Sequence, residues 1–202
     1  MVYFCIMITK AERTRQFIIE KAAPIINRKG MAGTSMSDIM DATHLAKGCL
    51  YGNFENKEEI CLEAFQFLVR KFVTGAEQRM KKYNSAKDKL FAFLDYYSDD
   101  RFRIENGGCP LLNFGVEADD TNPKIREEVR LAITGTQTNL KRLIEAGIEA
   151  GDFRPDISPE AMAVKIHIML EGAALVSRIQ NRSDVFDLVV QSIKKELNSG
   201  KK

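Results

Sequence analysis

The chain of 202 residues has no tryptophan, only five prolines and only two histidines. Scarce proline leaves long stretches open to unbroken helix, because an interior proline removes a backbone hydrogen bond and clashes with the preceding turn. Two histidines, His44 and His167, are little material for a Ser-His-Asp or Cys-His catalytic set, and neither set stands at a readable spacing. The four cysteines, Cys5, Cys49, Cys61 and Cys109, are far apart and form no CxxC pair. That spacing argues against a zinc ribbon or a disulfide scaffold and suits reduced thiols in a cytoplasm. No apolar run approaches the roughly 20 residues of a spanning helix, so no membrane segment is expected. A net charge of +2 announces no nucleic-acid partner by itself, so such a role must rest on where the basic residues lie.

What is present is helical pattern. The opening "MVYFCIMI" is apolar but short, carries no basic region and runs straight into "TKAERTR". Residues 1–8 therefore read as a loose tail rather than a signal peptide, with Met7 as an alternative start. Thr9 can cap a helix whose apolar positions Phe17, Ile18, Ala22, Ile25 and Ile26 recur at three and four, up to a Gly30 stop. Pro24 inside it predicts a kink or loosening. Ser35 with Asp38 three residues on opens a short second helix that breaks near His44.

From Lys57 onward the helices lengthen. Asn56 is the cap and Glu58 and Glu59 occupy the first turn of a helix carrying Ile60, Ala64, Phe67, Leu68 and Phe72. "AKDKLFAFLDYYSDDRFRIE" reads as one further helix, stopped by Gly107, Gly108 and Pro110. A short apolar piece "PLLNFGVEA" follows, and Pro123 opens a helix ended by Gly151. Pro155 and Pro159 bracket the start of "EAMAVKIHIMLEGAALVSRIQ", and "SDVFDLVVQSIKKEL" comes last. No segment reads as a strand, so the expected fold class is all-α. The boundary expected from the change in helix length divides the chain into residues 1–56 and 57–202.

Two short helices joined by a tight turn form a helix-turn-helix, whose second helix enters the DNA major groove. The stretch "TSMSDIMDATHLAKGCLYGNFENKEE" resembles the TetR family of bacterial transcription regulators over roughly residues 10 to 62. The residue types suit DNA. Lys47 offers a cation, Gly48 allows close backbone approach and Tyr51 offers a hydroxyl, while Leu50 and Phe54 point into a small core. The resemblance implies contacts to double-stranded DNA from Thr34, Ser35, Lys47, Gly48, Tyr51, Asn53 and Lys57, with Cys49 and Gly52 on the groove side helping to set sequence choice. The chain departs from the family pattern at His44, where Gly is frequent, at Ala46, where a capping Ser or Thr is frequent, and at Gly52 and Asn53.

The resemblance also implies an N-terminal three-helix DNA-binding domain and a larger helical domain that dimerises and encloses a small-molecule inducer. Candidate wall residues are Phe67, Phe93, Tyr97, Cys109, Asn113, Phe114, Glu117 and Met169, since apolar pockets with few polar groups are the usual small-molecule site. For Glu117 a solvated turn is the competing reading. Gly172, Ala173 and Leu175, with Leu188, Val189 and Ile193 on the final helix, are the candidate seam of a homodimer. His167 and Glu171, four apart on one helix, read as a packed histidine rather than half a metal site, so no metal and no cofactor is expected. The expectation is a cytoplasmic, non-enzymatic regulator, most simply a repressor that a small molecule releases from a palindromic operator. An activator or a ligand-independent repressor of the same fold is the alternative, and a helical enzyme using the central cavity a distant one.

Overall fold

The computed structural model describes residues 9–198, and the expected loose tail at residues 1–8 lies outside them. Among the described residues there are ten helices and no strand: α1 Lys10–Lys29, α2 Met36–Thr43, α3 Lys47–Asn53, α4 Lys57–Met80, α5 Ala86–Ser98, α6 Asp100–Asn106, α7 Pro110–Ala118, α8 Pro123–Glu149, α9 Pro159–Gln180 and α10 Asp184–Asn198.

The helix starts are chemically encoded. Thr9 and Glu12 form a reciprocal capping box at α1, as Ser35 and Asp38 do at α2, so orphan amides at both starts find side-chain oxygens. Asn56, Ser85, Asn122 and Ser158 each accept the amide three residues on at α4, α5, α8 and α9. Helix α3 differs, because its N-cap is Ala46, which makes no capping bond. Helix α2 ends on His44 in the left-handed conformation at φ 55°, where glycine would fit without strain. Helix α1 runs without interruption through Pro24.

One expected helix is two. The chain breaks at Asp99, whose backbone is extended, and the carbonyls of Tyr97 and Ser98 accept the Arg103 guanidinium instead of amides further along a helix. The apolar piece that follows is itself helical, with Pro110 in the first turn of α7, where a missing N–H costs nothing.

Two apolar clusters hold the helices. The first gathers Ile18, Ala22 and Ile26 of α1, Ile39 of α2, Leu50 of α3, Phe54, and Ile60, Phe65 and Leu68 of α4. It is closed by Phe114 and Ala118 of α7 and by Ile125 and Val129 of α8. The second joins Leu90 and Leu94, Leu140 and Ile144, Ile166 and Leu170, and Phe186, Val190, Ile193 and Leu197. Each of these large side chains contributes about 1.5–3 kcal/mol through burial, so neither cluster is dispensable. Because α4, α7 and α8 all bury residues in the first cluster, the helix-turn-helix is packed directly on the larger helical part.

Candidate nucleic-acid interface and ligand cavity

The outer face of α3 is bare. A Cβ placed on Gly48 or on Gly52 would meet nothing within 4 Å, so no neighbour in the chain requires glycine there. Tyr51 is 48% exposed, and the Lys47 ammonium lies 5.7 Å from its ring centroid, which holds a cation and a hydroxyl together on one face. Leu50 and Phe54 are buried on the opposite face. The Arg15 guanidinium lies 4.2 Å over the Phe54 ring and donates to the Asn53 carbonyl and to Glu59 and Glu63, tying the end of α3 to α1 and α4.

Not every expected contact lies on that face. Ser35 is exposed, but its hydroxyl bonds Asp38 at 2.7 Å. Lys29 first and Ser35 second hold the Asp38 carboxyl well below the usual carboxylate range. Asn53 donates to the Cys49 carbonyl at 2.8 Å, and Cys49 is half-buried beside it. Two assignments need correction. Thr34 is buried, with its hydroxyl donated to the Gly30 carbonyl at 2.7 Å. Lys57 donates its ammonium to the carbonyls of Met31 and Thr34 at 2.9 and 3.0 Å. Both side chains close the α1–α2 turn instead of reaching outward.

Glu117 is the second half of that closure. Its carboxylate accepts the amides of Met31 and Ala32, and Gly30, at φ 84°, brings the turn so close that an added Cβ would stand 2.9 Å from Glu117 Oε2. Glu117 therefore lines a small groove with Met31, Ala32 and Lys57 beside that turn, and its carboxylate is bonded to the turn rather than left to solvent. Nothing local in the sequence marks this role, because the partners stand 85 and 86 residues apart.

A cavity of about 190 Å³ lies among α4 to α9, lined by Val69, Phe72, Val73, Tyr97, Phe102, Arg103, Cys109, Pro110, Leu111, Ala132, Gly135, Thr136, Asn139 and His167. Of the expected wall residues it brings together Tyr97 and Cys109. Phe93 lies edge-on to Phe72 in an adjoining groove, Asn113 and Cys109 line a neighbouring cleft with Arg28 and Arg178, and Phe67 lines an outer groove beside Arg15 and Tyr96. Phe114 is corrected, since it is buried 5.3 Å from Phe65 in the first apolar cluster, and Met169 packs against the second. Among the described residues no three His, Cys, Asp or Glu side chains converge as a metal site, and no helix is long and apolar enough to cross a membrane.

The seam assignment also changes. Ala173 and Ile193 are buried inside the chain's own core, and Val189 is packed against it, so they hold α9 and α10 to the rest of the chain. The apolar residues left outside are Ile168, Leu175, Val176 and Ile179 of α9 and Leu188 of α10, with Gly172 open on the same face. Their positions on α9 recur at three and four, a stripe readable in the sequence but masked by the more strongly amphipathic final helix.

A helix-turn-helix carried on a larger helical body, with a bare basic and aromatic face on its second helix, defines a DNA-binding transcriptional regulator. Residues 18–64 match the bacterial regulatory proteins of the tetR family, and residues 86–193 match the tetracyclin repressor-like C-terminal domain. The chain belongs to the TetR family. A TetR-family transcriptional regulator from Cytophaga hutchinsonii has the same fold at a TM-score of 0.89 and 37% identity, covering 96% of this chain and 98% of that one. The HTH-type transcriptional repressor DhaR of Mycobacterium sp. (strain GP1) is 24% identical over 177 residues, 86% of each chain. The transcriptional regulator FadR of Bacillus subtilis, solved in complex with stearoyl-CoA, shares the fold at a TM-score of 0.73 and 19% identity, covering 93% of this chain and 99% of that one.

Proposed function

We propose that the chain is a homodimeric repressor, released from a palindromic operator when a small molecule enters the cavity among α4 to α9. The observation that carries this is the run of α7. Its start, Cys109 to Leu111, lines the cavity, and its last turn holds the α1–α2 turn through Glu117. One short helix therefore touches both the ligand space and the DNA-binding unit, and α4 runs beside it from the cavity wall to Lys57. The binding of a small molecule by a fold neighbour, FadR with stearoyl-CoA, supports a ligand-responsive body.

DNA would be read by the outer face of α3, with Lys47, Gly48, Tyr51 and Gly52 toward the groove, Cys49 and Asn53 at its margin, and Ser35 at the adjoining helix start. The exposed stripe of α9 with Leu188 would form the dimer seam. Two recognition helices must stand about 34–36 Å apart, or a multiple, to enter successive major grooves. A ligand that prefers a conformer of another separation weakens DNA binding by the factor by which DNA weakens the ligand.

Binding to DNA flanking its own gene, followed by fluorescence anisotropy, together with transcription from that promoter with and without the protein, tests the reading. Specific, salt-sensitive binding and lower transcription are expected. Higher transcription on addition of the protein would make it an activator and remove the repressor assignment.

A further inference from the structure

Tyr97, Cys109 and His167 stand in the cavity wall, and behind them Glu171, one turn beyond His167 on α9, joins all three. Glu171 Oε1 accepts the Tyr97 hydroxyl and, at 3.4 Å, the Cys109 thiol, and His167 Nε2 lies 3.5 Å from the same oxygen. His167 is only 4% exposed. Its Nε2 and Glu171 Oε2 are both buried and have no hydrogen-bond partner.

Buried polar atoms are nearly always satisfied, and a carboxylate taken out of water with one bare oxygen is unfavourable. Here both donors converge on Oε1. Burial and then the nearby charge of Glu171 hold the Cys109 thiol far above its ordinary range, so it stays a protonated donor and is not a nucleophile. Arg103, the cation in the wall, donates to the carbonyls of Tyr97 and Ser98 and lies 3.9 Å over the Phe186 ring. What the His167–Glu171 pair lacks is a donor for Oε2 and a partner for His167 Nε2. The remaining surface is largely apolar, from Val69, Phe72, Leu111 and Ala132. A dry cavity of about 150 Å³ holds benzene, so about 190 Å³ suits one substituted ring or a body of that bulk.

Resting on the reading that this cavity holds the effector, we propose that it takes a compact, mainly apolar molecule whose single polar head hydrogen-bonds the His167–Glu171 pair, donating to the Glu171 carboxylate. An alcohol, a phenol or an amine fits. A carboxylate head does not, because it would set a second negative charge beside Glu171 and leave Oε2 without a donor.

Four probes on one ring separate the chemistries: benzyl alcohol, benzylamine, toluene and benzoate, titrated into the full-length protein by calorimetry. The alcohol and the amine are expected to bind at least tenfold tighter than toluene, with no binding of benzoate. Glu171→Gln is expected to remove that preference. Should that variant fail to fold, His167→Leu carries the same expectation of a reduced preference. Benzoate binding as tightly as benzylamine, an unchanged preference in the folded variant, or no binding by any probe overturns the proposal. If the alcohol and amine bind as described but leave DNA affinity unaltered, this assignment stands and the inducer reading falls. If toluene or benzoate releases DNA equally well, the inducer reading stands and this assignment falls.

Discussion

Glu117 Oε2 accepts the backbone amide of Met31 at 2.5 Å, across 86 residues of chain. With Lys57 taking the Met31 carbonyl from the other side, the α1–α2 turn is held by one anion and one cation from two different helices. Glu117→Ala removes charge-assisted bonds to two amides and is expected to lower stability by about 1–3 kcal/mol. It should also weaken operator binding, because Ser35 rides on that turn. Urea unfolding together with anisotropy on operator DNA checks both, and an unaltered affinity would show that the turn does not report to DNA.

Lys47 and Lys57 are expected to behave differently with salt. A lysine on a phosphate contributes about one unit to the slope of log affinity against log salt. Lys47→Ala should therefore flatten the slope by about one, whereas Lys57→Ala should weaken binding with the slope retained. Equal slopes in the wild type and Lys47→Ala would remove Lys47 from the interface.

Ile179 and Ile193 separate seam from core. Ile179 is 77% exposed on α9, so Ile179→Glu should yield a folded monomer by light scattering at micromolar concentration. Ile193 is 1% exposed within the second apolar cluster, so Ile193→Ala should cost about 2–5 kcal/mol in unfolding free energy. A dimeric Ile179→Glu would place the interface elsewhere.

The helix-turn-helix itself can be stabilised. Ala46→Ser supplies the missing N-cap of α3, and His44→Gly relieves the left-handed residue that ends α2. Each is expected to add about 1 kcal/mol, measured by thermal unfolding. No gain from Ala46→Ser would mean that the α3 amides already have partners.

Alkaline pH should expose the buried thiol. Burial pushes the Cys61 thiol up from 9.0 to about 11, so the native state holds its proton longer than the unfolded chain does. Its contribution is fully present below pH 9.0 and is lost as pH rises through about 11. Tyr97 and Cys109, both raised by burial, act in the same direction. The midpoint of thermal unfolding should fall over that window, and by less in Cys61→Ala. An identical fall in the variant would assign the loss to other groups.

Local chemistry was legible from the chain alone. Thr9, Ser35, Asn56 and Pro123 mark helix starts because their bonds, or in proline the missing donor, act within three or four residues. The spacing from Thr34 to Glu59 carried the helix-turn-helix, and the alternation of Leu50 and Phe54 with Lys47 and Tyr51 separated its two faces. The break at Asp99 was not legible, since it depends on Arg103 turning back onto the carbonyls of Tyr97 and Ser98.

By itself, then, the sequence determined the helices, their caps and the class of fold, all set by periodicity and by contacts a few residues long. Only the tertiary structure decided that Thr34 and Lys57 face inward, that Glu117 fastens the turn, that Ala173 and Ile193 are core while Ile179 is not, and that Tyr97, Cys109, His167 and Glu171 meet. Those outcomes depend on which helix covers which face, and partners such as Met31 and Glu117, far apart along the chain, leave no local periodic signal.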